Sequence, residues 1–246
     1  MKWFELPHQL TYYECDPQGN LQLGMLFNLG VLAAEIENQG TGVGLGAANQ
    51  LGGGWVVVNY AGTFDLTHFH AGDQIVVATR VKAFNKFFSL REFSIRDHTG
   101  HEWVHYEATF VFMDLVKRRI MTIPPVLIEQ YDLAPVKRIP RVPAPSDLVV
   151  DDTWQQHQYD VRYFDIDMNG HVNNSHYFDW MLEALGAEFL QTHQLTGVKI
   201  QFDHEVRYGQ RVTSQAKVAD LVTYHQIKTA DQGAARAELT WVTVGK

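Results

Sequence analysis

One stretch of this chain occurs twice. Setting TYYECDPQGNLQLGMLF beside RYFDIDMNGHVNNSHYF, 151 positions further on, aligns Tyr12 with Tyr163, Asp16 with Asp167, Gly19 with Gly170, Phe27 with Phe178 and Ala33 with Ala184. Glu14 then faces Asp165, and Leu21 faces Val172. Aromatic, carboxylate, glycine and apolar positions coincide in one register, which marks a duplication rather than chance. Any architecture for this chain therefore has to fit both copies.

The copies are separated by PVKRIPRVPAP, Pro135 to Pro145, which holds four of the eight prolines. Proline at that density neither continues a helix nor pairs in a central strand. Residues 134–149 read as a basic linker between an N-terminal domain, 1–133, and a C-terminal domain, 150–246. A length of 246 residues accommodates two compact domains, and 46% hydrophobic with 20% charged residues supplies an ordinary core.

Each half reads as a short strand, a polar turn, an apolar helix and then several strands. The second helix is expected to carry Tyr177, Met181, Leu185 and Phe189 at i, i+4 spacing, with Phe178, Trp180 and Leu182 on other faces. That breadth of apolar surface predicts a helix covered on most sides. Asn174 or Ser175 suits its amino end as a cap. The first helix, around Leu26 to Asn38, repeats the theme through Leu29, Ala33 and Ile36. Period-two alternation follows at Val104–Phe112, Ile75–Val81 and Val212–Val218, the pattern of antiparallel strands with one face on the core. DHTG (Asp97–Gly100) and DQG (Asp231–Gly233) read as hairpin turns. The expected fold class is α+β, a long curved antiparallel sheet wrapped round a central helix, present twice. NQGTGVGLGAANQLGGG, between the first helix and its sheet, reads as a flexible loop, either a connector or a lid.

Several function classes are disfavoured at once. No run of about 18 apolar residues is present, so no membrane span is expected. The start, MKWFELPHQLTYYE, has neither a signal-peptide core nor the look of a transit peptide, and a single cysteine, Cys15, fits a reducing cytoplasm. A formal net charge of −8 argues against nucleic-acid or anionic-membrane binding. Basic patches are confined to Lys117, Arg118 and Arg119, and to Lys137, Arg138 and Arg141. Such patches are either ordinary surface charge or a docking site for an acidic partner.

The second copy of the polar turn is DMNGHVNNSHYFDW, Asp167 to Trp180, richer in Asp, Asn and His than a turn requires. Asp and Asn in a strand-to-helix turn also make Asx-turns and caps. In the first copy, however, Gln18 stands opposite Asn169 and Asn20 opposite His171, with the helix still to follow. The turn can be built without this side-chain set, so its presence in the second copy calls for chemistry. Further on, Gly72 aligns with Gly209 at an offset of 137, which sets His68 opposite Glu205.

YYECDPQG, WVVVNYAGTFD, GDQIVVATRV, VKRRIMTIPP and DMNGHVNNSHYFDWMLE, in that order, resemble the landmarks of the tandem hotdog acyl-acyl carrier protein (ACP) thioesterases of plants and bacteria. The resemblance implies two hotdog domains, no metal and no cofactor. It implies hydrolysis of fatty acyl-ACP to free fatty acid and holo-ACP, with an acidic carrier protein as partner on a basic patch. His171 and Glu205 are then expected to activate water, Asn169 to hold the water or the carbonyl, and Asp167 to fix the others. Partial burial is expected to raise the Glu205 pKa toward neutrality, and backbone amides at the helix start to aid the oxyanion. Asn173, Asn174, Trp55, Val57, Phe110 and Phe112 are the expected substrate contacts. Plant members often place a cysteine after the glutamate; here Val206 stands there, which disfavours a thiol nucleophile. The competing expectations are a hotdog acyl-CoA thioesterase and a non-catalytic acyl-binding hotdog. Dimerisation through sheet edges is left open.

Overall fold

The computed structural model describes residues 2–244. The first copy supplies β1 (Phe4–Gln9), α1 (Leu23–Gly40), α2 (Leu45–Gln50), β2 (Gly53–Phe64), β3 (Gln74–Phe84), β4 (Phe88–Arg96), β5 (Glu102–Asp114) and β6 (Ile120–Met121). The second supplies β7 (Gln155–Asp160), α3 (Ser175–Glu183), α4 (Ala187–Thr192), β8 (His193–Phe202), β9 (Arg211–Ala219), β10 (Val222–Lys228) and β11 (Gly233–Thr243). Neither helix nor strand occurs in residues 132–154.

The two sheets are one. Strand order is β1-β3-β4-β5-β2-β8-β11-β10-β9-β7, antiparallel throughout, with β6 paired to β5. The order reads as a palindrome about the β2–β8 seam, where Ala61 pairs with Lys199 and Gly62 with Val198. These two pairs exchange under the 137-residue offset, as a local two-fold axis requires. The outer edges of the sheet are blunt: β7 is QQHQYD, almost wholly exposed, and β1 carries Pro7.

The same axis sets the helices against each other. Phe27 of α1 stacks on Phe178 of α3, its own counterpart, with ring centroids 4.8 Å apart. Gly24 lies against Ser175, likewise its counterpart, and a methyl at Gly24 would stand 3.2 Å from the Ser175 carbonyl oxygen. Phe27 also packs on Tyr60 and Tyr106 of the sheet, so the principal core runs continuously through both halves. Buried residues fall on more than one face of α1, because sheet covers one side and α3 another.

Three expectations are corrected. The glycine-rich segment is not a bare loop: α1 runs on to Gly40 and α2 follows, with Val43 and Ala48 buried over Phe112. The second helix does not run through to Phe189, because Gly186 takes φ +81° and splits it into α3 and α4. Neither Asn174 nor Ser175 caps α3 through its side chain; Asn173 Oδ1 instead accepts from the Ser175 amide at 3.0 Å.

Candidate active site

The polar turn before α3 is shaped by Asp167. Its Oδ1 accepts from the amides of Asn169 (2.8 Å) and His171 (3.5 Å), and its own amide donates to the His171 carbonyl at 2.8 Å. Gly170 closes the turn at φ +82°, a conformation that suits glycine. The first copy builds the same object: Asp16 Oδ1 accepts from Gln18 and Asn20 at 2.9 Å each, and Gly19 sits at φ +86°. Carboxylate and glycine therefore make the turn, and positions 169 and 171 only ride on it. In the second copy those riders are an exposed Asn169, whose Nδ2 lies 3.5 Å from Asp167 Oδ2, and a half-buried His171.

Glu205 reaches the turn from the loop just past β8. The Val172 amide donates to the Val206 carbonyl at 3.0 Å, which anchors that loop to the base of the turn. Glu205 Oε2 then stands 3.1 Å from His171 Nε2. In the first copy the equivalent His68 lies stacked on Trp103, with centroids 3.5 Å apart, and pairs with Asp65 Oδ2 at 3.3 Å on its own segment. The opposite side of Glu205 was not anticipated: Arg118 Nη2 pairs with its Oε1. Arg118 therefore does not belong to an outward-facing basic patch, although Lys117 and Arg119 beside it are exposed. No local pattern announces this contact, which joins a turn of one copy to a loop of the other. The guanidinium stabilises the Glu205 negative charge, a contribution the expectation from burial alone left out.

Burial pushes the His171 imidazole below its ordinary pKa; the Arg118 and Arg207 charges push the same way, and Asp167 opposes them. A ring depressed in this way is neutral near pH 7, with its Nε2 3.1 Å from Glu205 Oε2. The sign fixes a pH dependence. If turnover requires the neutral ring, its acid limb falls below about pH 6.5, the ordinary histidine value. A kcat/KM profile from pH 4.5 to 9 checks this, and an acid limb centred above that value contradicts it.

The remaining expected contacts divide. Asn173 is occupied with the start of α3, its amide donating to the Asp165 carbonyl and its Oδ1 and carbonyl accepting from Ser175 and His176. The first amides of α3 are thus taken, which leaves the Asn169 side chain as the better placed oxyanion donor. Asn174 is half-buried, and its carbonyl accepts from the Tyr177 amide. Trp55 faces Phe112, and Val57 faces Phe110, as alternate cross-strand pairs of β2 and β5 with Val56–Val111 between them. Phe112, fully buried, packs with Trp55, Val43 and Ala48; Val57 and Phe110 join the principal core. The β2–β8 ladder begins with Asn59 opposite Gln201, so the start of β2 and the chain beyond β8 leave the seam at the same end. Lys137, Arg138 and Arg141 are exposed on a segment whose Ile139 and Val142 pack on Ala61, Ala83 and Leu90, the sheet face turned away from α1.

A family model of the acyl-ACP thioesterase N-terminal domain matches residues 2–131, and one of the C-terminal domain matches residues 150–243. The chain belongs to the acyl-ACP thioesterase family. A crystal structure from Lactobacillus plantarum, provisionally named an oleoyl thioesterase, matches with a TM-score of 0.95 and 36% identity, over 100% of this chain and 98% of that one. The 12:0-ACP thioesterase of Umbellularia californica shares the fold at a TM-score of 0.83 and 21% identity, over 98% of each chain. A chloroplastic acyl-[acyl-carrier-protein] hydrolase of Cuphea viscosissima is 28% identical over 181 residues, covering 66% of this chain and 42% of that protein. The chain thus spans less than half the length of this chloroplastic relative. Within the acyl-ACP thioesterase family the double hotdog is the shared architecture, and the continuous sheet described above is this chain's form of it.

Proposed function

We propose that the chain hydrolyses fatty acyl-ACP to free fatty acid and holo-ACP, ending acyl-chain synthesis. The observation that carries this reading is the His171–Glu205 pair at 3.1 Å, set beside Asn169 on a turn whose first-copy twin lacks all three groups. Water attacks the thioester carbonyl carbon while the Glu205–His171 pair takes its proton. Negative charge gathers on the carbonyl oxygen, where the Asn169 side-chain amide donates a hydrogen bond. Collapse of the tetrahedral intermediate breaks the C–S bond, and the pair returns the proton to the departing thiolate. Asp167 acts through the turn, holding Asn169 and His171 by their amides. The paired apolar residues Trp55–Phe112 and Val57–Phe110, at the same end of the seam as the Glu205 loop, supply a surface for the acyl chain.

The carrier is acidic in this reading and docks on Lys117 and Arg119, which are exposed and flank the residue that touches Glu205. A cytoplasmic setting rests on the sole cysteine, Cys15, which is buried and free. The test is release of free thiol from matched acyl-ACP and acyl-CoA substrates, C8 to C18. Turnover of the carrier-protein thioesters that collapses in Asn169→Ala and His171→Ala is expected. Preference for the CoA thioesters removes the carrier protein from the proposal, and acyl binding without turnover removes the chemistry.

A further inference from the structure

The catalytic turn and the Glu205 loop both belong to the second copy, but the group on the far side of Glu205 does not. Arg118 sits in the turn between β5 and β6 of the first copy. That turn is closely tied: Asp114 Oδ1 accepts from the amides of Val116 (2.9 Å) and Lys117 (2.7 Å), the Arg118 amide donates to the Asp114 carbonyl at 3.0 Å, and the Asp114 amide donates to the Arg119 carbonyl at 2.9 Å. Arg118 itself occupies the left-handed region, φ +55°, which a side chain other than glycine or asparagine takes up reluctantly. A backbone so fixed directs one side chain. The Arg118 head meets Glu205 Oε1 and His171 Nε2 lies 3.1 Å from Oε2, so the carboxylate stands between groups supplied by both copies.

The donors of Arg118 are not spent on local structure. Its Nε and Nη2 are both buried and make no hydrogen bond among the described residues, so its contact with Glu205 is one of opposite charges rather than a hydrogen bond. A second cation, Arg207, stands close enough to act on both Arg118 and His171. The charged groups around the imidazole are thus Asp167 from its own turn, Glu205 and Arg207 from the loop after β8, and Arg118 from the first copy.

We infer that Arg118 is a positioning residue: the first copy supplies it to hold the Glu205 carboxylate in the orientation that meets His171 and to keep the proton inventory of that pair fixed. The inference rests on the proposed hydrolysis, and it gives the first copy a part in the chemistry as well as in binding. Without the guanidinium, Glu205 is free to rotate away from His171. Displacement of a catalytic group by about 1 Å costs on the order of 10²-fold in rate. Removing a nearby cation also makes protonation of His171 easier, so the acid limb moves toward higher pH.

The test compares wild type with Arg118→Gln, Arg118→Lys and Arg118→Ala in thioester hydrolysis across pH, together with an NMR titration of the His171 ring in wild type and Arg118→Gln. Arg118→Gln is expected to lose roughly 10–10² in kcat with little change in KM, and its acid limb and ring titration both shift to higher pH. Arg118→Lys, which keeps the charge but not the fork, is expected to hold the pH profile better than the rate. Added guanidinium is expected to restore part of the Arg118→Ala activity. Wild-type kcat and an unmoved acid limb in Arg118→Gln overturn the inference while leaving the hydrolysis intact. So does a rate loss that comes with no shift in either titration and no rescue, since a merely structural role gives that result. If wild type itself hydrolyses no thioester, the proposed function fails; the ring titration then decides whether Arg118 acts on the pair, an unshifted ring counting against it.

Discussion

Glu205→Gln is expected to lower kcat by about 10²–10⁴-fold while the protein stays folded, the range for losing a positioned base. The substitution keeps the side chain's shape and the loop's anchor through Val206, and removes only the charge and one acceptor. His171→Ala is expected to fall in the same range. Because the two side chains meet at 3.1 Å and act as one unit in the proposed hydrolysis, the double variant is expected to be hardly slower than either single one. Asn169→Ala removes a separate contribution, on the order of 10²–10³-fold for an oxyanion donor, and is expected to multiply with the others. Single-turnover rates of the four variants, with far-ultraviolet circular dichroism to verify folding, check the scheme. Near-multiplicative losses at Glu205 and His171 would mean that they act independently and would break the pair as a unit.

Phe178→Ala is expected to cost about 3–5 kcal/mol of stability, the range for deleting a buried aromatic ring. Phe178 is completely buried at the meeting of α1 and α3, stacked on Phe27. Neither backbone around the ring can close in, because each helix is already held against its own half of the sheet. For a chain of this size, such a loss lowers Tm by roughly 10 °C. Two exposed aromatics make the contrast: Phe164, 88% exposed, and Tyr163, 71% exposed, are expected to be replaceable by alanine within about 0.5 kcal/mol. Urea melts of the three variants settle the ranking. A Phe178→Ala midpoint near wild type would show that the helix–helix contact does not hold the two copies together.

The elements of both copies were legible because each carries local signals. The alternation of β5, the glycine at position 170 and the Asp–Asn–Gly–His spacing all act over a few residues, where side-chain period and turn chemistry decide. The break at Gly186 was also open to reading, since a glycine inside a helical pattern can end it. What escaped were relations between distant parts. The continuity of the sheet depends on β2 choosing β8 as its neighbour, and a strand's own residues do not name its partner. Arg118 looked like one of three surface cations because VKRR is a basic run; its contact with Glu205 exists only once the seam has formed. The turn reading failed in a smaller way at α3, where the cap falls to Asn173 in a run of two asparagines that either could have supplied.

The palindromic strand order has a consequence for how such a chain can change. In a dimer of identical single repeats, one codon writes both turns, so a substitution that frees one centre for another task disables its twin as well. Here the two turns are written separately. The first has kept the residues that shape it, Asp16 and Gly19, while position 18 has been given over to a tie across the molecule, its amide donating to the Gln191 carbonyl at 3.0 Å. Fusion has turned one of two equal sites into mutational freedom, and the second copy keeps its histidine and asparagine regardless of what the first one becomes.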